Sequence, residues 1–265
     1  APPGHRLGRN IGTGGYRTNY GRHYPFDTYH PNGCSMLFSD LLSNFDFEFL
    51  QSPFSEMSLA EADILMTPNP DYPLYEGASP YRIDAQDIDA VVNFLQRGGS
   101  VVLMVNSFLA RSDFWEENFD IERVTPFFDR LGLRWDHNFM SDDLRILPAQ
   151  SGPFTVGYGQ GGRVLSAALP VGAQPLLSFE GDVFGFSVKV GKGKLAVIGD
   201  AGVVSNGLYH FPGSDNSAFP VSLFNDMSPA SGAARPPVFE VFEFGHLSCA
   251  TSEHGTDKKI FKTLR

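Results

Sequence analysis

Tyr16, Arg17, Asn19, Tyr20, Arg22, His23, Tyr24, Asp27, Tyr29 and His30 crowd into one short stretch near the start of the chain. It is the densest group of acid/base-capable side chains in the sequence. A histidine or tyrosine base, a cation or amide to neutralise a carboxylate, and aromatic rings to stack on sugars are the parts that β-elimination on a uronic acid requires. His23 and Tyr20 are the candidate acid/base groups, and Arg17, Asn19 and Arg22 the candidate holders of an anionic substrate group. The competing reading is an ordered aromatic loop that covers a sheet edge. His23, Asp27 and His30 also fit one helical face, but Pro25 and Pro31 disturb such a helix. No metal and no cofactor is assigned.

A second group falls where apolar runs end. Asn69 follows ADILM, Asn106 follows SVVLMV, and Asp200 follows LAVIG, with Asn206 and His210 just beyond. Ligands of open α/β sheets bind outside the carboxyl ends of the strands, so these residues are candidates to line such a crevice. Asp200 could act as a base or bind a sugar hydroxyl; its alternative is to cap the following turn by accepting backbone N–H bonds. For Asn69 and Asn106 the alternative is ordinary turn chemistry, and for His210 packing beside Phe211-Pro212. Ser107 stands at a strand end, but without the glycines of a nucleophile elbow.

The elements that must position these residues are legible in outline. Helical spacing predicts a helix over 34–44, alternation a strand over 45–50, and ADILM a short buried strand over 62–66. Asp84 opens a helix over 85–97 that stops at Gly98-Gly99. SVVLMV over 100–105 is a buried strand, and 121–131 a second clear helix that Pro126 could break. A short strand is expected at 133–136 and loop over 138–160. Strands follow at 174–179, 183–190 and 194–199, the last two as a hairpin. After a Ser/Ala/Pro-rich linker, VFEVFEF at 238–244 alternates as a strand. The expected fold class is a three-layer, flavodoxin-like α/β sandwich with a mostly parallel sheet and an antiparallel extension. One domain spans 1–228, and 229–265 is linker, edge strand and tail.

Composition limits the partners. The 265 residues carry a net charge of −10, which argues against nucleic acid. No apolar run reaches the roughly 18 residues of a membrane span. The start Ala1-Pro2-Pro3-Gly4 reads as the end left by signal-peptide removal, or as an artificial boundary; the first reading implies a secreted or periplasmic protein. Cys34 and Cys249 permit either a disulfide tying the tail to the body or two separate buried thiols.

ADILMTPNP, a helix closing in Gly-Gly ahead of SVVLMVNS, and VGKGKLAVIGDAGVVSNG occur in that order. Together, over roughly 35–210, they resemble the class I glutamine amidotransferase-like superfamily, in its divergent branch of ThuA-like and DUF4350-type proteins. Amidotransferases carry Gly-x-Cys-x-Gly after the strand equivalent to SVVLMV and a His-x-Glu after the late strand. This chain has Asn106-Ser107-Phe108 and Asp200-Ala201-Gly202 instead. Without the thiolate and its base there is no glutaminase chemistry. The resemblance implies an association with sugar metabolism or polysaccharide breakdown. The expected function is a carbohydrate-active enzyme, a lyase or hydrolase on an oligo- or polysaccharide. The alternative is a non-catalytic carbohydrate-binding module that uses the same crevice.

Overall fold

A computed structural model describes residues 34–42, 44–50, 54–67, 85–104, 121–133, 145–150, 152–158, 164–165, 169–228 and 238–242. Helix α1 (Ser35–Leu41) leads to strand β1 (Asp46–Leu50), then β2 (Ile64–Thr67), α2 (Ala85–Arg97) and β3 (Ser100–Met104). Helix α3 (Ile121–Leu131) precedes the short strands β4 (Arg145–Pro148), β5 (Thr155–Tyr158) and β6 (Val164–Leu165). Strands β7 (Gln174–Phe179), β8 (Asp182–Val190) and β9 (Gly193–Ile198) follow. A 3₁₀ turn (Ala201–Val204), α4 (Asn206–Tyr209), α5 (Ala218–Met227) and β10 (Val238–Phe242) complete the described chain.

The protein is a mixed α/β fold. Five strands run parallel in the order β1–β10–β2–β3–β9, and β8 adds to β9 antiparallel. Strand β7 pairs with one edge of β8, while β6 pairs with Asp182 and Val183 of the same strand. Two cores form from alternating residues of the central strands. Ile64, Met66, Val102, Met104, Ala196 and Ile198 cluster with buried side chains of α1 and α5 and with the β4–β5 hairpin. Leu65, Val101, Leu103, Leu195 and Val197 cluster with α2 and α3. This is the period-2 division that a strand covered on both sides must show.

Local sequence explains the elements around the sheet. In α2 the spacing of Ile88, Val91, Val92 and Leu95 makes one buried face. Both α2 and α3 end on a left-handed glycine, Gly98 (φ 121°) and Gly132 (φ 69°). In each the next N–H closes onto the carbonyl five residues back, Gly99 to Phe94 at 2.9 Å and Leu133 to Phe128 at 2.8 Å. That is the glycine-stopped helix end in which orphan carbonyls are satisfied. Asp87, buried in the first turn of α2, accepts the Phe54 N–H at 2.8 Å and ties the segment before β2 to the helix.

Three expectations are corrected. The tail strand is not an edge: β10 lies between β1 and β2, with Glu240 in register with both Glu48 and Leu65. Alternation specifies a strand but not its neighbours. The 138–160 segment is not all loop, because β4 and β5 pair antiparallel. Pro126 does not break α3, which runs through it; one lost N–H bond near the helix start is outweighed by burial of Phe127 and Phe128. Leu133 is buried at the stop of α3; the rest of the expected 133–136 strand lies outside the described residues. The Asp84 cap and Cys249 lie outside the described residues; Cys34 is buried. Among the described residues no helix is long and apolar enough to cross a membrane.

The Gly-Lys-Gly-Lys turn and the Gly-Gly stop of α2 prove to be one contact. The Lys192 N–H reaches the Gln96 carbonyl at 3.4 Å. A Cβ on Gly193 would overlap the Gly99 carbonyl oxygen and stand 2.6 Å from the Leu95 carbonyl oxygen. Both obstacles are backbone and cannot swing aside. Gly193→Ala is therefore expected to cost about 3 kcal/mol or more by urea denaturation. Gly172→Ala, with open space around it but φ +83°, should cost about 1–2 kcal/mol. Equal losses would contradict the packing assigned to Gly193.

Candidate functional site at the carboxyl ends of the strands

The register aligns Thr67 of β2 with Leu103 of β3, and Met104 of β3 with Ile198 of β9. The carboxyl ends of β2, β3 and β9 thus fall along one border of the sheet. Of the residues chosen from sequence, Asp200, Asn206 and His210 are described. His23, Tyr20, Arg17, Asn19, Arg22, Asn69 and Asn106 lie outside the described residues, as do Ser107 and the rest of the 1–33 segment.

Asp200 follows β9 in extended conformation (φ −150°, ψ 112°) and is 3% exposed. Its Oδ1 accepts the Gly202 N–H at 2.6 Å and caps the 3₁₀ turn. Ser205 Oγ closes the same turn by donating to the Gly202 carbonyl at 2.7 Å. The carboxylate therefore performs the capping role that its residue type also allowed. Asn206 reaches across to α1. Its Oδ1 accepts the Met36 N–H at 3.0 Å, and its Nδ2 donates to Ser35 Oγ at 3.2 Å. An amide 170 residues away in sequence thus satisfies one of the orphan donors at the start of α1. His210 is exposed, its ring edge-on to Tyr209 with centroids 5.0 Å apart.

Around Asp200 stand groups that sequence reading passed over. Tyr158 of β5 is buried, its ring edge-on to Phe184 at 5.2 Å, and its hydroxyl donates to the Phe184 carbonyl at 3.5 Å. Burial first, and then the Asp200 charge, push this phenol well above the ordinary tyrosine range. Asn216 is fully buried. Its Oδ1 accepts the Gly157 N–H at 2.6 Å, and its Nδ2 donates to the carbonyls of Gly157 at 2.9 Å and Val203 at 3.2 Å. One amide thereby completes the backbone bonding of β5 and fastens it to the turn after β9. Beside it, Asp215 Oδ2 accepts the Thr155 N–H at 2.7 Å and the Thr155 hydroxyl at 3.0 Å. The Ser-Asp-Asn-Ser run at 214–217 was the available signal, since such residues favour local backbone bonding. Burial of Asn216 depends on a hairpin some sixty positions earlier.

Tyr209 donates its hydroxyl to Asp40 of α1, and burial, followed by this bond, raises its pKa as well. Asp40 also borders a shallow groove of about 530 Å³ between α1 and α5, lined further by Ser217, Ala218, Val221, Ser222 and Asn225. Among the described residues no group of three or more His, Cys, Asp or Glu side chains is placed to hold a metal. One strand-end group differs from the capping residues: Thr67, 4% exposed, whose hydroxyl has no hydrogen-bond partner.

No protein-family model matches the chain, and no curated protein matches it. Solved structures do. The fold is similar to that of the mmIFT52 N-terminal domain, at 14% identity and a TM-score of 0.56, over 81% of this chain and 97% of that one. A cytoplasmic protein from Salmonella typhimurium LT2 aligns over 74% of this chain and 88% of its own, at 15% identity and a TM-score of 0.47. The exo-beta-1,4-mannosidase Op5Man5 from Opitutaceae bacterium strain TAV5 aligns over 64% of this chain and 26% of its own, at 16% identity and a TM-score of 0.38. The first likeness is one of fold alone.

The two raised tyrosines give a pH dependence. Native Tyr158 and Tyr209 keep their protons where the same side chains in the unfolded chain ionise, near pH 10. The stability they contribute is intact below about pH 10 and is lost as pH rises above it, by up to about 1.4 kcal/mol per unit for each group. Urea denaturation across that range should show the fall, and Tyr158→Phe should flatten it. An unchanged slope in that variant would show that Tyr158 ionises normally.

Proposed function

We propose that this chain is a carbohydrate-recognition module on a three-layer, flavodoxin-like frame of the glutamine amidotransferase-like kind. It takes its ligand at the carboxyl ends of β2, β3 and β9. The division of the cores supports the frame, with α1 and α5 on one side of the sheet and α2 and α3 on the other. The parallel order β1–β10–β2–β3–β9 supports the location, because such sheets bind ligands at that border.

The observation that carries recognition rather than catalysis is the state of Asp200. A general base must come within hydrogen-bond reach of the proton it removes. Asp200 is buried and already accepts the Gly202 N–H. Asn206 is similarly engaged with α1. These side chains build a fixed floor, and a fixed floor suits binding, where rigidity limits the entropy lost. The catalytic reading, β-elimination or hydrolysis with His23 or Tyr20 as acid/base, is the other outcome of the test.

That test is a panel of pectate, alginate, xylan and β-glucan oligomers. Calorimetric binding is followed together with new reducing ends and the ultraviolet absorbance of a new C=C bond. Reversible binding to at least one member, without either product signal, is expected. Product signals that vanish in His23→Ala would establish a lyase or hydrolase instead. Absence of both binding and products would reject carbohydrate as the ligand.

A further inference from the structure

We propose that Asn206–Gly207 is a self-modification site, at which the asparagine converts to aspartate and isoaspartate when helix α1 releases its side-chain amide, and which stays unreactive while α1 is seated. The chain has two Asn-Gly steps, Asn32–Gly33 and Asn206–Gly207, and the second lies among the described residues. Glycine has no side chain to shield its own nitrogen, so that nitrogen can approach the amide carbon of the preceding asparagine. The two reacting groups belong to neighbouring residues, the situation in which proximity contributes most to rate.

The reaction needs only water and its hydroxide. Hydroxide takes the Gly207 N–H proton, and the nitrogen attacks Asn206 Cγ. The new C–N bond closes a five-membered succinimide. The Cγ–Nδ2 bond breaks, and the amide nitrogen leaves as ammonia after taking a proton from water. A second water then opens one of the two imide carbonyls. Opening at the side-chain carbonyl leaves aspartate; opening at the main-chain carbonyl routes the backbone through the side chain as isoaspartate. Nothing is oxidised or reduced.

The folded geometry latches this step. Asn206–Tyr209 is helical, whereas ring closure needs Cβ and the next nitrogen to eclipse about the Cα–C bond, outside the helical region. Both polar atoms of the amide are held by α1: Oδ1 accepts the Met36 N–H at 3.0 Å, and Nδ2 donates to Ser35 Oγ at 3.2 Å. Turning the amide onto Gly207 breaks both bonds. The Tyr209 hydroxyl donates to Asp40, so α4 is tied to α1 by its first and its last residue. Asn206 is only half-buried and Gly207 is exposed, so water reaches the step and the latch is the seating of α1 rather than burial. Conversion has a structural consequence. Aspartate loses the Nδ2 donor to Ser35, and isoaspartate adds a backbone carbon beside Ser205, whose hydroxyl closes the Asp200 turn. Opening of α1 is thereby recorded irreversibly, whatever the carboxyl border binds.

The experiment ages the protein in mildly alkaline buffer, with and without guanidinium chloride, and follows the amide-to-acid mass gain by peptide mapping, which separates Asn206 from Asn32. Conversion at Asn206 is expected at least about tenfold more slowly in the folded protein than in denaturant. Ser35→Ala, which removes the Nδ2 acceptor, and Tyr209→Phe, which removes the tie to Asp40, should each speed the folded-state reaction by about three- to tenfold. Neither should change the rate in denaturant. Gly172→Ala, which destabilises the fold at the turn before β7, should stay within about twofold of wild type in buffer. Gly207→Ala should remove most of the conversion in denaturant. Equal folded and denatured rates would overturn the latch. Acceleration by Gly172→Ala as large as by Ser35→Ala would assign the gate to global unfolding and overturn the role of α1. Absence of conversion in denaturant would overturn the site itself.

Discussion

The structure turns on the seating of β9 against the end of α2. Gly193, its first residue, rests on the backbone carbonyls of Gly99 and Leu95 with no room for a side chain. That contact sets where β9 begins and so fixes its register against β3, Ser100 with Lys194 through Met104 with Ile198. It also positions β8 through the hairpin and decides how far along the sheet Gly199 and Asp200 emerge. A shift of one residue would exchange the two faces of the strand and carry Ala196 and Ile198 into the wrong core.

The two borders of the sheet consequently differ in character. At the amino ends of the strands the polar contacts tie α5 down: Ser100 Oγ to the Met227 carbonyl at 2.6 Å, and Lys194 Nζ to the Asp226 carbonyl at 2.5 Å. At the carboxyl ends, Asp200, Ser205, Asn206 and Asn216 brace the turn after β9 against α1 and β5. This bracing leaves a stiff border beside the end of β2. The Gly-Gly stop of α2 and the Gly-Lys-Gly-Lys turn belong to the first border, where they serve packing.

Much of the frame was legible because single segments carry their own signal. The apolar face of α2 with its Gly-Gly stop, the uninterrupted SVVLM, and the β8–β9 hairpin each specify their own conformation. The place of β10 was not legible, because alternation in VFEVF says nothing about which strands flank it. The β4–β5 hairpin was missed for a related reason: its strands are short, and its backbone bonding is completed by Asn216 from a distant segment. In the site, Asp200 follows a strand end as the sequence indicates; residue type left a base and a cap both open, and the structure shows the buried Oδ1 accepting the Gly202 N–H. The aromatic and basic cluster at 16–30 lies outside the described residues, so its chemistry rests on sequence alone.

The central claim is that the carboxyl border of the sheet is the binding face. Amide hydrogen exchange, with and without the oligomer that binds, tests it most directly. The account predicts slowed exchange at Met66, Thr67 and Gly199–Asn206, with the Val190–Gly193 turn unchanged. Protection confined to that turn or to the α1–α5 groove, with the carboxyl border unaffected, would contradict it.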